Sequence, residues 1–394
     1  MKWFYGRVKG FAVWIYRCMC CLFPVKQNRV VFDSSLGKSY SGNPRHIFEY
    51  AVKHGLDKKW DCIWFYETIP YYQIPDTAKQ VHYGRLRYLY YMATAKVWVF
   101  DCRQPEFLVR RKDTYYIQTW HGTPLKKLCL DMEDVFMVGE KDIGTYQKHF
   151  VENVSTWDYL IAQNHFASDT FRRAFDFRKN ILEIGYPRND ILFHENNPDS
   201  IEKRKIALGI PLDKKVLLYA PTWRDDEYSG PAKYLFRPHL DLTKLQKELG
   251  DEYVMIVKYH YLIMDSVDWS TYKGFVYHFD QSHDIAELFI VSDMLITDYS
   301  SVMFDFSLLN RPMLFFAYDK HKYKNELRGF YFSYTEEMPG PISTTTEELI
   351  HDVRTYNGAD YIDKYRKFKE KYNSIDDGEA SGKVVKLVEE LIEM

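Results

Sequence analysis

The residues best able to do chemistry in this chain lie in the stretch QTWHGTPLKKL, at Trp120, His121, Gly122, Thr123, Pro124, Leu125 and Lys126. They follow a short β-like run, Tyr115 to Thr119, and the Gly-Thr-Pro then turns the chain sharply. A histidine on such a turn faces open space, and its side chain can take and hold a proton near neutral pH. A turn histidine can equally cap a helix or fill a gap, so its role depends on what other segments bring beside it.

Five further segments share that placement after a strand. APTWRDD (Ala220 to Asp226) presents Thr222, Trp223 and Arg224 where Pro221 stops a strand. Arg224 can fork onto a phosphate, or form a surface Arg–Asp pair worth little. KYHYLI (Lys258 to Ile263) brings His260 to the next strand end, to donate to a phosphate oxygen with Lys258 assisting, or to be satisfied within its own loop. In TDYSSVMFDF (Thr297 to Phe306), Met294–Thr297 reads as a strand, Asp298–Ser301 as a tight turn and Val302–Leu309 as a helix. Ser300 and Ser301 then sit at a helix N-terminus, where free N–H groups and the dipole favour an anion. A serine there is also an ordinary cap, worth about 1 kcal/mol, but Asp298 and Tyr299 exceed what capping needs. RGFYF (Arg328 to Phe332), followed by Pro339–Pro341, adds a guanidinium in a loop. Gly42 and Asn43, in GNPR after SSLGKSYS, make a loop and helix start suited to approach an acceptor, without a phosphate-loop consensus.

No carboxylate or histidine cluster has metal spacing, so no metal and no cofactor are expected. Arginines, histidines and a helix terminus are instead available to neutralise a diphosphate. That suits a transferase that stabilises its leaving group with fixed protein charges.

The elements that must position these residues alternate. Strand-like runs at Arg29–Asp33, Cys62–Tyr66, Val97–Phe100, Tyr115–Thr119, Tyr159–Ala162 and Ile181–Ile184 are separated by helical patterns such as Ile47–His54, Thr145–Phe150 and Ser168–Ala174. A polar stretch, Glu195 to Lys205, interrupts the pattern. It resumes with Val216–Ala220, Tyr253–Lys258, Val276–Asp280, Met294–Thr297 and Met313–Phe316. Such alternation predicts an α/β chain of two doubly wound, Rossmann-like domains facing across a cleft, with ligands outside the carboxyl ends of the strands. The expected division is an N-terminal helix over 1–25, a first domain over 26–203 and a second over 204–394, whose last helix is placed to pack back on the first.

At 394 residues the chain suits two domains, and 46% apolar with 27% charged residues is ordinary for a soluble protein. A net charge of −2 gives no general attraction to nucleic acid. The six cysteines (18, 20, 21, 62, 102 and 129) form no CxxC pair, and a reducing cytosol is the simplest setting. In the first 25 residues Phe4, Val8, Phe11, Ile15, Met19 and Leu22 make an apolar stripe. Lys2, Lys9 and Arg17 fall largely opposite it, with Arg7 at its edge. The charges leave runs far shorter than a membrane span needs. This reads as an interfacial helix on an anionic membrane, with Trp3, Trp14 and Tyr16 at headgroup depth, or as a helix packed on the protein's core or a second subunit.

WHGTPLK, APTWRDD, the histidine of YHYLI, TDYSSVMFDF and RGFYF…PGP, in this order over roughly Arg29 to Ile342, resemble the CDP-glycerol glycerophosphotransferases of teichoic acid synthesis. The resemblance implies a GT-B-type fold, an acceptor domain followed by a nucleotide-binding domain, and a peripheral enzyme at the cytoplasmic face of the membrane. It implies that His121 is the catalytic base toward a polyprenyl-diphosphate-linked acceptor, bordered by Gly42, Asn43, Trp120, Gly122 and Thr123. His260 would be the second catalytic residue. Thr222, Arg224, Lys258, Asp298, Ser300, Ser301 and Arg328 would hold the CDP-alditol. CDP-ribitol users share these motifs, and single addition and polymerisation both stay open, as does assembly into an oligomer or with other cell-wall enzymes. A reading of another class is a catalytically silent protein that binds nucleotide or lipid as a scaffold.

Overall fold

The computed structural model describes residues 10–394 apart from 12, 19, 21, 68, 69, 71, 135–141, 223–227, 231, 232, 236–238, 260–262, 265, 266, 281 and 320–328. Its first half is a seven-stranded sheet of β1 (Lys26–Asp33), β2 (Asp61–Tyr66), β3 (Lys79–His82), β4 (Ala95–Phe100), β5 (Tyr115–Gln118), β6 (Tyr159–Ala162) and β7 (Asn180–Glu183). The spatial order is 3-2-1-4-5-6-7, and all pairings are parallel. The second half holds β8 (Lys215–Ala220), β9 (Tyr228–Gly230), β10 (Lys233–Leu235), β11 (Tyr253–Lys258), β12 (Ile263–Met264), β13 (Val276–Phe279), β14 (Met294–Thr297), β15 (Met313–Phe316) and β16 (Ile342–Ser343). Six of these form a second parallel sheet of order 13-11-8-14-15-16, and β9, β10 and β12 make a small separate sheet.

Both large sheets are covered on both faces, which is why their central strands are continuously apolar: every residue of AKVWVF in β4 is buried. Alternate residues serve opposite layers. In β1, Val30 and Phe32 join one cluster and Val31 the other; in β8, Leu217 and Tyr219 face away from Val216 and Leu218. The last helix, Ala380–Glu393, lies against the first sheet, where Val384, Val385, Val388 and Leu391 share a cluster with Val30 and Phe32. Its start is held by Asp190, whose carboxylate accepts from the Ala380 and Ser381 N–H groups at 3.0 and 2.7 Å.

The sequence reading did not include β3, β16 or the small sheet of β9, β10 and β12, and it took one helical stretch for an interruption. The polar stretch Glu195–Lys205 contains a helix, Pro198–Ala207, started by the Asn197 side chain accepting from Ser200 N–H at 3.0 Å with Pro198 in its first turn. Cap and proline suffice there because the helix is largely exposed and needs no wide apolar stripe. The short edge strand β3, KQVH, buries only Val81, too little for a periodic signal.

Strand order reverses between β1 and β4 in the first sheet and between β8 and β14 in the second. Crevices outside the carboxyl ends open at such switch points. An aspartate spans each of them in the same way. Asp101 Oδ1, after β4, accepts from the Ser35 N–H at 2.8 Å; Asp298 Oδ1, after β14, accepts from the Thr222 N–H at 2.8 Å.

Near the N-terminus the described residues between 10 and 22 are helical. Tyr16 does not lie at an outer surface, as the interfacial reading expects: with Cys20 it is buried against Ala93 and Phe107, because its ring finds an apolar pocket on the first half. Phe11, Trp14 and Leu22 are turned outward, at 63, 60 and 76% exposure. No described helix is long and apolar enough to cross a membrane.

Candidate active site

The turn after β5 and the loops after β8, β11 and β14 enclose a cavity of about 330 Å³ between the two halves. Its lining includes Trp120, His121, Gly122 and Thr123 from the first half and Thr222, Lys258, Ser300 and Ser301 from the second, so eight of the residues singled out by sequence meet in one space. The His121 side chain is exposed to the cavity, with protein around its other sides. Its Nδ1 lies 2.9 Å from the Asp101 carbonyl. A carbonyl only accepts, so Nδ1 carries the proton and Nε2 is left as the acceptor. The protonated ring is disfavoured, first by restricted hydration and then by repulsion from Arg188 and Arg103, against the pull of the Asp101 carbonyl.

Several residues hold this histidine; Trp120 and Thr123 also border the cavity, whereas Gly42 and Asn43 are not part of its lining. Trp120 has a left-handed backbone, φ 54°, a conformation costing a non-glycine residue about 1–2 kcal/mol. It is held by its N–H donating to Gln118 Oε1 at 3.0 Å and by an aromatic surround of Phe150, Trp157, Phe171 and Phe175. Its ring stacks on His121 at 4.4 Å and is 7% exposed, so it backs the histidine more than it meets a ligand. Asn43 is buried too. It donates to the Thr119 and Trp120 carbonyls at 3.2 and 3.0 Å and accepts from the Arg188 N–H at 3.1 Å. Thr123 Oγ1 donates to Gln163 Oε1 at 2.6 Å inside the protein. Gly42 N–H donates to Asp284 Oδ2 of the second half at 3.0 Å. Asn43, Thr123 and Gly42 are thus engaged in positioning the loops.

On the opposite wall, the Asp298 carboxylate accepts from the Thr222 and Tyr299 N–H groups at 2.8 and 2.6 Å and shapes both loops. Ser300 and Ser301 precede the helix Val302–Phe306, which continues as a 3-10 turn to Leu309, matching the expected span. Lys258, at the end of β11, donates to the Asp280 carbonyl. Burial pushes its ammonium down to about 8, partly offset by Asp284 and Asp280. Arg224, His260 and Arg328 lie outside the described residues. The rest of the RGFYF segment runs along the WHGTPLK segment: Lys127 N–H donates to Gly329 O at 2.9 Å, and Tyr331 N–H to Leu125 O at 3.1 Å. Among the described residues no group of three or more His, Cys, Asp or Glu is placed to hold a metal ion.

The sequence reading missed Asp101, Arg188, Asp284 and Asp305. Arg188 Nη1 donates to the His121 carbonyl at 3.0 Å, and its Nη2 pairs with Asp305 of the second half. Asp284 accepts from Gly42 and also starts the helix Ile285–Val291, through the Ala286 N–H at 3.0 Å. Three of the four follow the carboxyl end of a parallel strand, in FDCR after β4, GYPRND after β7 and DQSHD after β13. The strand-end rule that selected His121 would have found them.

The family model of CDP-Glycerol:Poly(glycerophosphate) glycerophosphotransferase matches residues 15–390. The chain belongs to this family. It is 44% identical to the teichoic acid poly(glycerol phosphate) polymerase of Bacillus subtilis (strain 168) over 94% of this chain and 50% of that protein. To the polymerase of the same name from Bacillus spizizenii it is 41% identical over 92% of both. The chain thus spans about half the length of the first relative and nearly all of the second. A teichoic acid ribitol-phosphate primase of Bacillus spizizenii is more distant, at 31%. A solved structure of the wall teichoic acid polymerase TagF, in a variant form, superposes with a TM-score of 0.89 at 40% identity, covering 96% of this chain and 93% of that one. The two facing doubly wound sheets are the GT-B-type arrangement the resemblance implied.

The two halves approach closely at Gly122, where an added Cβ would lie 2.7 Å from Ser301 Oγ and 3.2 Å from Ser301 Cβ. Overpacking of this kind costs about 1–3 kcal/mol. Gly122→Ala is therefore expected to lower the melting temperature, and Ser301→Gly in the same chain to restore part of it, the remainder reflecting the positive φ of 158° at Gly122. A Gly122→Ala protein that melts like wild type would show that the halves do not meet there.

Proposed function

We propose that this chain transfers glycerol phosphate from CDP-glycerol to a hydroxyl of a lipid-linked teichoic acid precursor and releases CMP. The observation that carries the reading is His121, fixed as a base through Nδ1, facing Lys258, Ser300 and Ser301 across one cavity. Its family, and relatives named for poly(glycerol phosphate), supply the donor. In the reaction His121 Nε2 takes the acceptor hydroxyl proton. The oxygen forms a bond to the β-phosphorus, and the bond from that phosphorus to the bridging oxygen breaks, leaving on CMP. Lys258 and the Ser300/Ser301 loop oppose the charge that develops on the diphosphate. Arg224, His260 and Arg328 keep the donor-side roles that the family resemblance gives them. Phe11, Trp14 and Leu22 are turned outward and Arg17 is exposed on the same helical segment, which supports peripheral attachment to an anionic membrane surface.

A positioned base contributes roughly 10²–10⁴-fold. His121→Ala is expected to lose activity in that range while still binding CDP-glycerol, with CMP release and acceptor extension as the readout. Wild-type turnover in this variant would overturn the assignment. Running the same assay with CDP-ribitol decides between the two alditols, and donor binding without CMP release would support the scaffold reading.

Lys258 loses its charge as pH rises through about 8. A bound diphosphate favours the charged form, so calorimetric donor affinity is expected to fall across that pH. Lys258→Met should bind more weakly and with a flatter profile. A wild-type profile unchanged by the substitution would remove Lys258 from the donor site.

Deleting residues 1–25 is expected to abolish co-sedimentation with anionic vesicles. Unchanged partitioning would refute membrane attachment through this segment.

A further inference from the structure

Arg188 has no place in the transfer step above, yet its side chain lies between the base and the donor wall. It sits in the turn Pro187–Asn189 after β7 and is 9% exposed. Its guanidinium is committed in two directions. Nη1 donates to the backbone carbonyl of His121 at 3.0 Å, and Nη2 pairs with the carboxylate of Asp305, itself 1% exposed, on the helix that begins beside Ser300 and Ser301. Asn189 Nδ2 donates to the other Asp305 oxygen at 2.9 Å. On the base side, the Arg188 N–H donates to Asn43 Oδ1 at 3.1 Å, and Asn43 Nδ2 holds the Trp120 carbonyl at 3.0 Å. The peptide on each side of the His121 Cα is therefore fixed by one connected set of bonds. Tyr186 lies 5.3 Å from the guanidinium carbon.

A plain brace between two halves would need the Arg188–Asp305 pair alone. The second donor, spent on the carbonyl of the base, is a separate and directional commitment that only a forked cation can make together with the ion pair. We infer that Arg188 is a positioning residue that links the donor-side helix to the His121 backbone, so that the base takes its working position only when the two halves are docked. The inference rests on the reading of His121 as the base.

Steady-state assays with CDP-glycerol and a lipid-linked disaccharide analogue test it on the full chain, comparing wild type, Arg188→Ala, Arg188→Lys, Asp305→Asn and His121→Ala. Melting temperature and donor affinity are measured on each protein. Misplacing a catalytic group by about 1 Å costs about 10²-fold, so Arg188→Ala is expected to lose roughly 10–100-fold in kcat. Donor KM and donor affinity should stay near wild type. Added guanidinium ion at non-denaturing concentration should restore part of kcat, and added ammonium should not. Asp305→Asn should lower kcat in the same manner, and Arg188→Lys should fall between wild type and Arg188→Ala. If Arg188→Ala does not fold, Arg188→Lys carries the same comparison. Wild-type kcat in a folded variant would overturn the inference. So would a loss of kcat and donor affinity together that guanidinium does not relieve, since that is the behaviour of a brace. Wild-type turnover in His121→Ala would instead refute the reading of the base, whatever Arg188 does.

Discussion

The site depends on how closely two parallel sheets can bring their carboxyl ends together. Each wall of the cavity hangs from strand ends: His121 follows β5, Thr222 follows β8, Lys258 ends β11 and Ser300 follows β14. A parallel sheet carries its loops on that edge whatever their sequence, so the fold supplies the two walls but not the distance between them. That distance is set where Gly122 meets Ser301, a place with no room for a Cβ. The glycine of WHGTPLK thus answers both to its contact with Ser301 of the other half and to its positive φ of 158°.

The polar bonds that hold this approach are not strong evidence for stability. Burying Arg188 and Asp305 costs each its hydration, and a well-packed apolar pair of the same volume often does as well or better. Breaking such a pair by removing one partner costs about 3–5 kcal/mol, because the other charge is left buried. That asymmetry penalises misplacement more than it rewards assembly. Asp284 adds to it by serving two chain segments at once, accepting from Gly42 in the first half and from Ala286 at the start of its own helix. Asp284 is held well below the usual carboxylate range even though burial opposes it, with His46 and Arg45 beside it. Apolar packing within each half supplies the folding energy, and the charged bonds specify how the halves meet.

Much of this was legible in the sequence. The apolar runs of β1, β2, β4 and β8 are unmistakable because both faces of each sheet are covered. The expected residues Trp120, His121, Gly122, Thr123, Thr222, Lys258, Ser300 and Ser301 come together because a strand-end rule selects loops by topology, and topology follows from alternation. The rule does not say which side chain in a loop faces the cavity. Asn43 neighbours His121 yet turns inward, and Trp120 and Thr123 border the cavity while most of their contacts are with the interior, for reasons that lie in distant partners: the Arg188 N–H, four aromatic rings and Gln163. The helix Pro198–Ala207 and the strand β3 were obscured for the opposite reason, since elements that bury little leave little periodic trace.

The environment of His121 bears on the role proposed for it. An imidazole at its ordinary pKa of about 6.5 is already about three-quarters neutral at pH 7. Pushing the pKa down therefore adds little neutral base and makes each molecule of it a weaker one. The depressed pKa is better understood as a consequence of the ring's restricted hydration, with Arg188 and Arg103 adding to it, than as the purpose of the arrangement. The bond from Nδ1 to the Asp101 carbonyl does more, because it selects the one tautomer whose Nε2 lone pair is free to accept. A carbonyl does this without adding a charge, where a carboxylate in its place would raise the pKa. Asp101 is pinned for the purpose by the Ser35 N–H at the first switch point. The crevice that the strand order opens between β1 and β4 thereby orients a histidine one strand away, at the end of β5.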